Sequence, residues 1–470
     1  MLPLVEFPEI LHHYTPYFES VFSPESLLQF QRYLSGLILS DNKTVEAINR
    51  LFVLFESRNQ SSLNRFLTDS RFSLSDLNEA RLELLAAKPE TRFKPKGVLS
   101  LDDTLLTHYG RHFEQIAKLF DSVSQSYVWA HNLVNLHYSD DLTDYPVLFQ
   151  LWKPADLEKL EIGLQAAKVK LRESKFSLKE EEPKKWRQYL LNLWRRHQSK
   201  PQVASLYKSK LLIAEEMLSQ FVSEHPCLKL PVAFDSWYTQ PAFCRFIDKR
   251  LGLAYVGTLT SDAEIKLKNG VEAAGDFAQR LKEEHKQAVD KGGRPVFGKI
   301  KFEYKGERER YISYCCTARV KNFGKVRLVI NHRQADLEDS PVLLISNRLN
   351  WQATGITRIR RHRWPVEVYH EEGKAEGLAQ YQLREVEAIK RHIALVAVAY
   401  SILRAAQYDK ELSDKLQQQL KIELEGSLPF WRRTAQAESL LNLAIFISAG
   451  LAQGQRIREI VRPFVKAICY

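Results

Sequence analysis

A chain of 470 residues with 44% hydrophobic and 11% aromatic side chains is too long for one core and too apolar for disorder, so two to four packed domains are expected. Its 68 Lys and Arg exceed its 57 Asp and Glu, and the net charge of +11 suits a polyanionic partner, although many proteins without one share that balance. Cys227, Cys244, Cys315, Cys316 and Cys469 show no CxxC spacing, which disfavours a zinc site or a disulfide framework and points to reduced thiols.

Residues 1–90 read as a helical N-terminal domain, either DNA-binding or a packing module. Leu27, Phe30, Leu34, Leu37 and Ile38 recur at helical intervals, as do Val45, Ile48, Leu51, Phe52 and Phe55. The stretch Met1–Phe7 has no charged leader, and no apolar run reaches bilayer length, so neither a signal peptide nor membrane insertion is expected. A Pro- and Gly-containing linker at 88–97 marks a boundary. After it, Val98–Thr104 is a short apolar run ending in Asp102 and Asp103, the pattern of a buried strand delivering carboxylates at its end. Strand-like runs at Tyr127–Leu136 and Tyr145–Trp152 complete a meander.

Residues 155–225 are helical and heavily charged. Leu230–Ser236 is a second apolar strand ending on an acid, Asp235, followed by a helix at Gln240–Arg250 and a strand at Leu253–Leu259. That order is α/β in character. Four β-rich segments lie between Val296 and Ser346, a long helix spans Arg384–Arg404, and a helical tail runs from Asp409 to the end. The expected layout is a catalytic core at 91–260 and 351–405, a β-rich insertion domain at 261–350 and a helical C-terminal tail at 406–470.

The segment from Arg360 to Lys374 carries the sharpest chemistry. It reads as a basic turn feeding a helix, with Glu367 near its start and Glu367, His370, Glu371 and Lys374 along one face. A carboxylate between cations suits metal-dependent phosphoryl transfer on a polyanion, where the acid holds a divalent ion and the cations grip phosphates. The same spacing also describes a plain surface ladder of ion pairs. The acids Asp103 (or Asp102), Asp235 and Glu367 together give the trio with which an RNase H-like core binds two divalent ions.

On these residues the chain resembles bacterial insertion-sequence transposases of the DDE class, specifically the cut-and-paste branch with a Tyr-Arg-Glu-Lys signature. Arg363, Glu367 and Lys374 match that signature in type and spacing, while Arg360 stands at the Tyr position. Leu101–Thr104 is similar to the first-aspartate strand and Phe234–Tyr238 to the second. The resemblance covers roughly 14–405. It implies an α/β, RNase H-like mixed sheet with a β-rich insertion before the Glu helix. It implies Asp103, Asp235 and Glu367 as ligands of two Mg²⁺ ions, with Mn²⁺ able to substitute. Asp103 is preferred because it directly precedes Thr104, leaving Asp102 as a supporting acid or as the ligand itself. Arg360, Arg363 and Lys374 are the implied DNA contacts.

The implied partners are double-stranded DNA, both element terminal repeats and target, and a second copy of the chain when two ends are synapsed. The implied reaction is cleavage at the element end, a hairpin intermediate and strand transfer, in a bacterial cytoplasm near the nucleoid. Two alternatives stand beside it: an inactive, transposase-derived DNA-binding protein, and an RNase H-like nuclease without strand transfer. Among other residues, His108 and His112, four positions apart, read as surface histidines. Trp364 reads as a packing anchor, and Trp351 as packing or as a platform for an unpaired base.

Overall fold

The computed structural model describes residues 3–54, 59–267, 270–424 and 426–469. Phe55, counted above in a helical face, lies outside them, as do Met1, Leu2, Tyr470 and the Cys469 side chain. Five helices open the chain: α1 (Glu9–Tyr14), α2 (Pro24–Leu39), α3 (Val45–Arg50), α4 (Gln60–Thr68) and α5 (Leu74–Ala86). Ser23, Thr44, Asn59 and Ser73 cap the last four, each accepting a backbone N–H two or three residues on. The apolar faces of these helices merge with the main core of the protein.

The meander has one strand more than expected: β1 (Val98–Thr107), β2 (Ala117–Asp121), β3 (Ser126–Ser139) and β4 (Asp144–Trp152). β3 is antiparallel to β1 on one edge, while β2 and β4 share its other edge. Pro146 sits on β4, at the border of the sheet, and the β3 register shifts by a bulge at Leu136/His137 nearby. An outer strand tolerates a residue with no N–H to donate. β1 continues past both acids, so they lie mid-strand rather than at its end.

Helices α6 (Leu157–Ala166), α7 (Leu178–Glu181), α8 (Pro183–Arg196), α9 (Pro201–Ala204) and α10 (Lys210–Glu224) follow. Only α10 packs on the β3–β4 face; α6 to α9 enclose a small core of their own. Two short parallel strands come next, β5 (Val232–Phe234) and β6 (Tyr255–Thr258), linked by α11 (Pro241–Arg245) and a single π turn at Phe246–Arg250. They extend the sheet in the order β1–β5–β6. At Gly257 a Cβ would lie 2.7 Å from Thr239 Oγ1 and 2.8 Å from the Phe234 ring. Gly257→Val is therefore expected to cost about 1–3 kcal/mol by overpacking. A urea midpoint equal to that of the wild type would contradict this close approach.

The remaining strands are β7 (Glu264–Leu267), β8 (Gly270–Ala273), β9 (Gly298–Tyr304), β10 (Glu307–Val320), β11 (Gly324–His332) and β12 (Val342–Ser346), with α12 (Ala274–Asp290) after β8. β12 pairs with β6, so the β-rich segment continues the core sheet in the order β2-β3-β1-β5-β6-β12-β11-β10-β7-β8. The result is a mixed α/β fold on one large, mostly antiparallel sheet. Helices α13 (Ala353–Arg361) and α14 (Trp364–Ala375) return the chain to the β1 region. α15 (Val386–Ala406) is buried nearly all round, and α2, α4 and α5 pack on it. Such a helix is apolar on nearly every side, as Ile393 to Leu403 is.

The tail forms α16 (Lys410–Leu420), α17 (Leu428–Ala452) and α18 (Ile457–Cys469). By length and composition α17 is apolar enough to cross a bilayer, which corrects the expectation that no run reaches that length. One face of it packs on α15, α2 and α16, with Trp431, Ala435 and Glu438 buried.

Candidate active site

Neighbouring side chains on a strand point to opposite faces, so Asp102 and Asp103 diverge. The parallel register places Leu101 beside Phe234, which makes Asp102 and Asp235 the next residues along on adjacent strands. Asp235 is fixed by its own turn, its Oδ1 accepting the backbone N–H groups of Trp237 at 3.0 Å and Tyr238 at 3.2 Å.

The third acid arrives on α14. Pro365 in the first turn gives up no hydrogen bond there, and Glu367 lies in the same turn, near the positive end of the helix dipole. Arg363 ties it to the sheet. One guanidinium nitrogen donates to Asp102 Oδ2 at 2.8 Å and another to Glu367 Oε1, while its Nε is buried with no hydrogen-bond partner among the described residues. Burial pushes the Asp102 pKa up to about 7; Arg363 opposes this, and the charges of Asp235 and Asp103 add to it.

Arg360 donates from Nε to Thr258 Oγ1 on β6 at 3.2 Å. Burial pulls its pKa down to about 10, helped by Arg363 and opposed by Glu367 and Asp235. Asp102, Asp235, Glu367, Arg360 and Arg363 thus form one electrostatic group. Lys374 is exposed, two turns further along α14, with no ion pair among the described residues; its charge reaches Asp121 on β2 and the ring of His370.

Asp103 departs from the expectation. It faces the other side of β1, where it accepts from Lys210 Nζ at 2.6 Å, Asn132 Nδ2 at 2.6 Å and the Tyr238 hydroxyl at 3.1 Å. The Lys210 ammonium also lies 4.8 Å from the Trp152 ring centroid and 5.2 Å from that of Trp237. Asp103 therefore braces the turn that carries Asp235 rather than joining the group around Arg363.

His370, expected on the face with Glu367, turns inward. Its Nε2 accepts from Asn135 Nδ2 at 2.8 Å, and burial lowers its pKa to about 3, so the ring is neutral. Asn135 is directly opposite Asp102 on β3. Asn132, Asn135 and Lys210 do not stand out in the sequence, and Tyr238 does so only as the end of the second-aspartate segment. The signal available was two amides inside the otherwise apolar run of β3.

Trp364 is 48% exposed, so it does not anchor α14. Trp351 packs partly against the core formed by Val98, Val256 and Val329. His108 and His112 lie in a loop; His108 packs on Phe113 and Tyr381, with burial holding its pKa down at about 4, and of the two only His112 is exposed. Cys227, Cys244, Cys315 and Cys316 are free thiols.

Among the described residues no three His, Cys, Asp or Glu side chains stand grouped as a metal site, and Arg363 is the cation between Asp102 and Glu367. The donor set is nonetheless all hard oxygen, and burial raises the Asp102 pKa even with Arg363 beside it. Hard oxygen donors meet the requirements of Mg²⁺ or Mn²⁺ rather than of a softer metal.

A family model described as DDE superfamily endonuclease matches residues 18–272, more than half of the chain. The match contains Asp102, Asp103 and Asp235 and ends before Glu367. No curated protein matches the sequence.

Proposed function

Because this chain belongs to the DDE superfamily of endonucleases, we propose that it is a DNA transposase that cleaves the ends of its own insertion sequence and joins them to target DNA. The observation that carries the reading is that Arg363 joins Asp102 to the helix-borne Glu367, with Asp235 next to Asp102 at the end of the neighbouring strand. An antiparallel β3–β1 pair followed by parallel β5 and β6 supports an RNase H-like core.

In this reading Asp102, Asp235 and Glu367 would hold divalent ions, whose charge would stabilise the phosphodiester displacement. The chain's own cations position the substrate. A DNA phosphate competes with Asp102 and Glu367 for the Arg363 guanidinium, which matches phosphate in a bidentate fork. Arg360 adds positive charge beside it, and exposed Lys374 meets the backbone further along α14. These contacts orient DNA without reading its sequence. The route by excision, hairpin formation and strand transfer on a dimer of two synapsed ends is part of the proposal.

The test is cleavage of a duplex carrying the element end, with Mg²⁺, by wild type and Glu367→Gln. Cleavage lost in the variant with DNA binding retained is the expected result. Equal cleavage by both proteins would remove Glu367 from the site. Specific binding without cleavage by either would favour an inactive DNA-binding descendant.

A further inference from the structure

Helices α6 to α9 are a satellite between β4 and α10. Leu160, Leu164, Trp186, Leu190, Trp194 and Val203 form their core, separate from the main one. Residues 153–208 hold 14 Lys and Arg against 7 Asp and Glu, so this small part carries +7 of the chain's net +11. The imbalance sharpens towards α8: from Pro183 to Lys208 there are 7 Lys and Arg and no acid.

The helix geometry sorts those charges. Trp186, Leu190 and Trp194 point inward, which leaves Lys184, Arg195 and Arg196 on the opposite side and Arg187 at the flank next to Trp194, all four exposed. None of the four has a carboxylate partner among the described residues; Arg195 donates only to Asn192, at 3.3 Å. Lys185, by contrast, is neutralised by Glu182 and is left out of the set. Lys184 and Arg195 are separated by about 16 Å along the axis, at 1.5 Å rise per residue. A row of that length, uncompensated from within, meets the repeating phosphates of a nucleic-acid duplex well and a single small anion poorly.

The base of the satellite leads to the carboxylates. Tyr207 packs edge-on against Trp194, with ring centroids 4.9 Å apart, and accepts the Trp152 indole N–H at 3.2 Å. Trp152 is in turn under Lys210, which holds Asp103 and the turn after Asp235. We infer that the exposed face of α8 is a second DNA-binding surface, a sequence-independent clamp on the duplex beside the cleavage position. The inference rests on the transposase reading for its substrate, and on the satellite alone for its location.

The experiment compares full-length wild type with a variant carrying Lys184→Gln, Arg187→Gln, Arg195→Gln and Arg196→Gln. Binding to a 40-base-pair duplex of unrelated sequence is followed across salt concentrations, and thermal melting checks the fold. Four lost phosphate contacts should flatten the slope of log affinity against log salt by about 3.6 units. A second variant, with Lys184→Arg, Arg187→Lys, Arg195→Lys and Arg196→Lys, should keep the wild-type slope, which separates loss of charge from loss of packing. A wild type that binds and cleaves DNA while the Gln variant keeps its slope overturns the clamp and leaves the transposase reading intact. A wild type that ignores duplex DNA overturns both. A slope lost on single strands but not on duplex overturns the assignment to duplex.

Discussion

Asp102→Asn is expected to lower metal-dependent DNA cleavage by roughly three orders of magnitude, about 4 kcal/mol of transition-state stabilisation, whereas Asp103→Asn should stay within about tenfold of wild type. The two residues are adjacent and chemically identical, so only their direction separates them. Asp102 points to the side where Asp235 follows β5 and where Arg363 reaches Glu367. Asp103 is already occupied by Lys210, Asn132 and Tyr238 on the other side. An amide in place of Asp102 removes the charge a divalent ion needs. An amide in place of Asp103 weakens the bonds to Lys210 and Tyr238, so it should act through the Asp235 turn and cost about 1–2 kcal/mol of stability as well. Single-turnover cleavage at saturating Mg²⁺, with DNA binding measured alongside, decides between them. A dead Asp103→Asn beside an active Asp102→Asn would reverse the assignment and with it the reading of the strand face.

Much of this arrangement was legible in the sequence because it depends on local period. The strands at Val98 and Leu230, the β-rich stretch from Val296 and the helix after Arg363 announce themselves through apolar runs and turn residues. The face on which an acid projects does not. A one-residue change of register reverses every side chain on a strand, and the register of β1 is set by β3 and β5, more than twenty residues away at the nearest. The apolar run before Asp102 reads as a strand stopping at its acids, whereas the strand continues because pairing with Ala130 to Leu133 extends it as far as Thr107. Lys210 was invisible for the same reason, being a cap-region lysine whose role depends on where α10 lands. The continuity of the sheet from β6 into β12 likewise rests on pairing across more than eighty residues, which no local pattern encodes.

A latch ties the β9–β10 hairpin to β4 and α15, and breaking it should have the largest effect on stability. Asp144, at the start of β4 and 2% exposed, accepts from Arg404 at 3.0 Å and Tyr400 at 2.9 Å on α15 and from Lys305 at 2.7 Å. Lys305 comes from the tip of the β9–β10 hairpin, whose two-residue turn Lys305-Gly306 has φ of +51° and +83°. Positive φ at both positions defines the turn type that closes tight hairpins, and it aims the lysine back at the core. Burial alone would raise the Asp144 pKa, but Arg404 and Lys305 overcome it and hold the carboxyl well below the ordinary range.

Asp144→Asn strands the Arg404 guanidinium in the interior and is expected to cost about 3–5 kcal/mol. Lys305→Met removes a partner that is 30% exposed and should cost about 1 kcal/mol or less. The pH dependence follows from the depressed pKa. The stabilisation is complete above the unfolded-state value of about 4 and is lost as pH falls towards the lower folded-state value. The gap in urea midpoint between wild type and Asp144→Asn should therefore be constant from pH 7 to about 5 and shrink below about 4. A gap that instead narrowed as pH rose from 5 to 7 would mean that the carboxylate is not what holds the hairpin to the core.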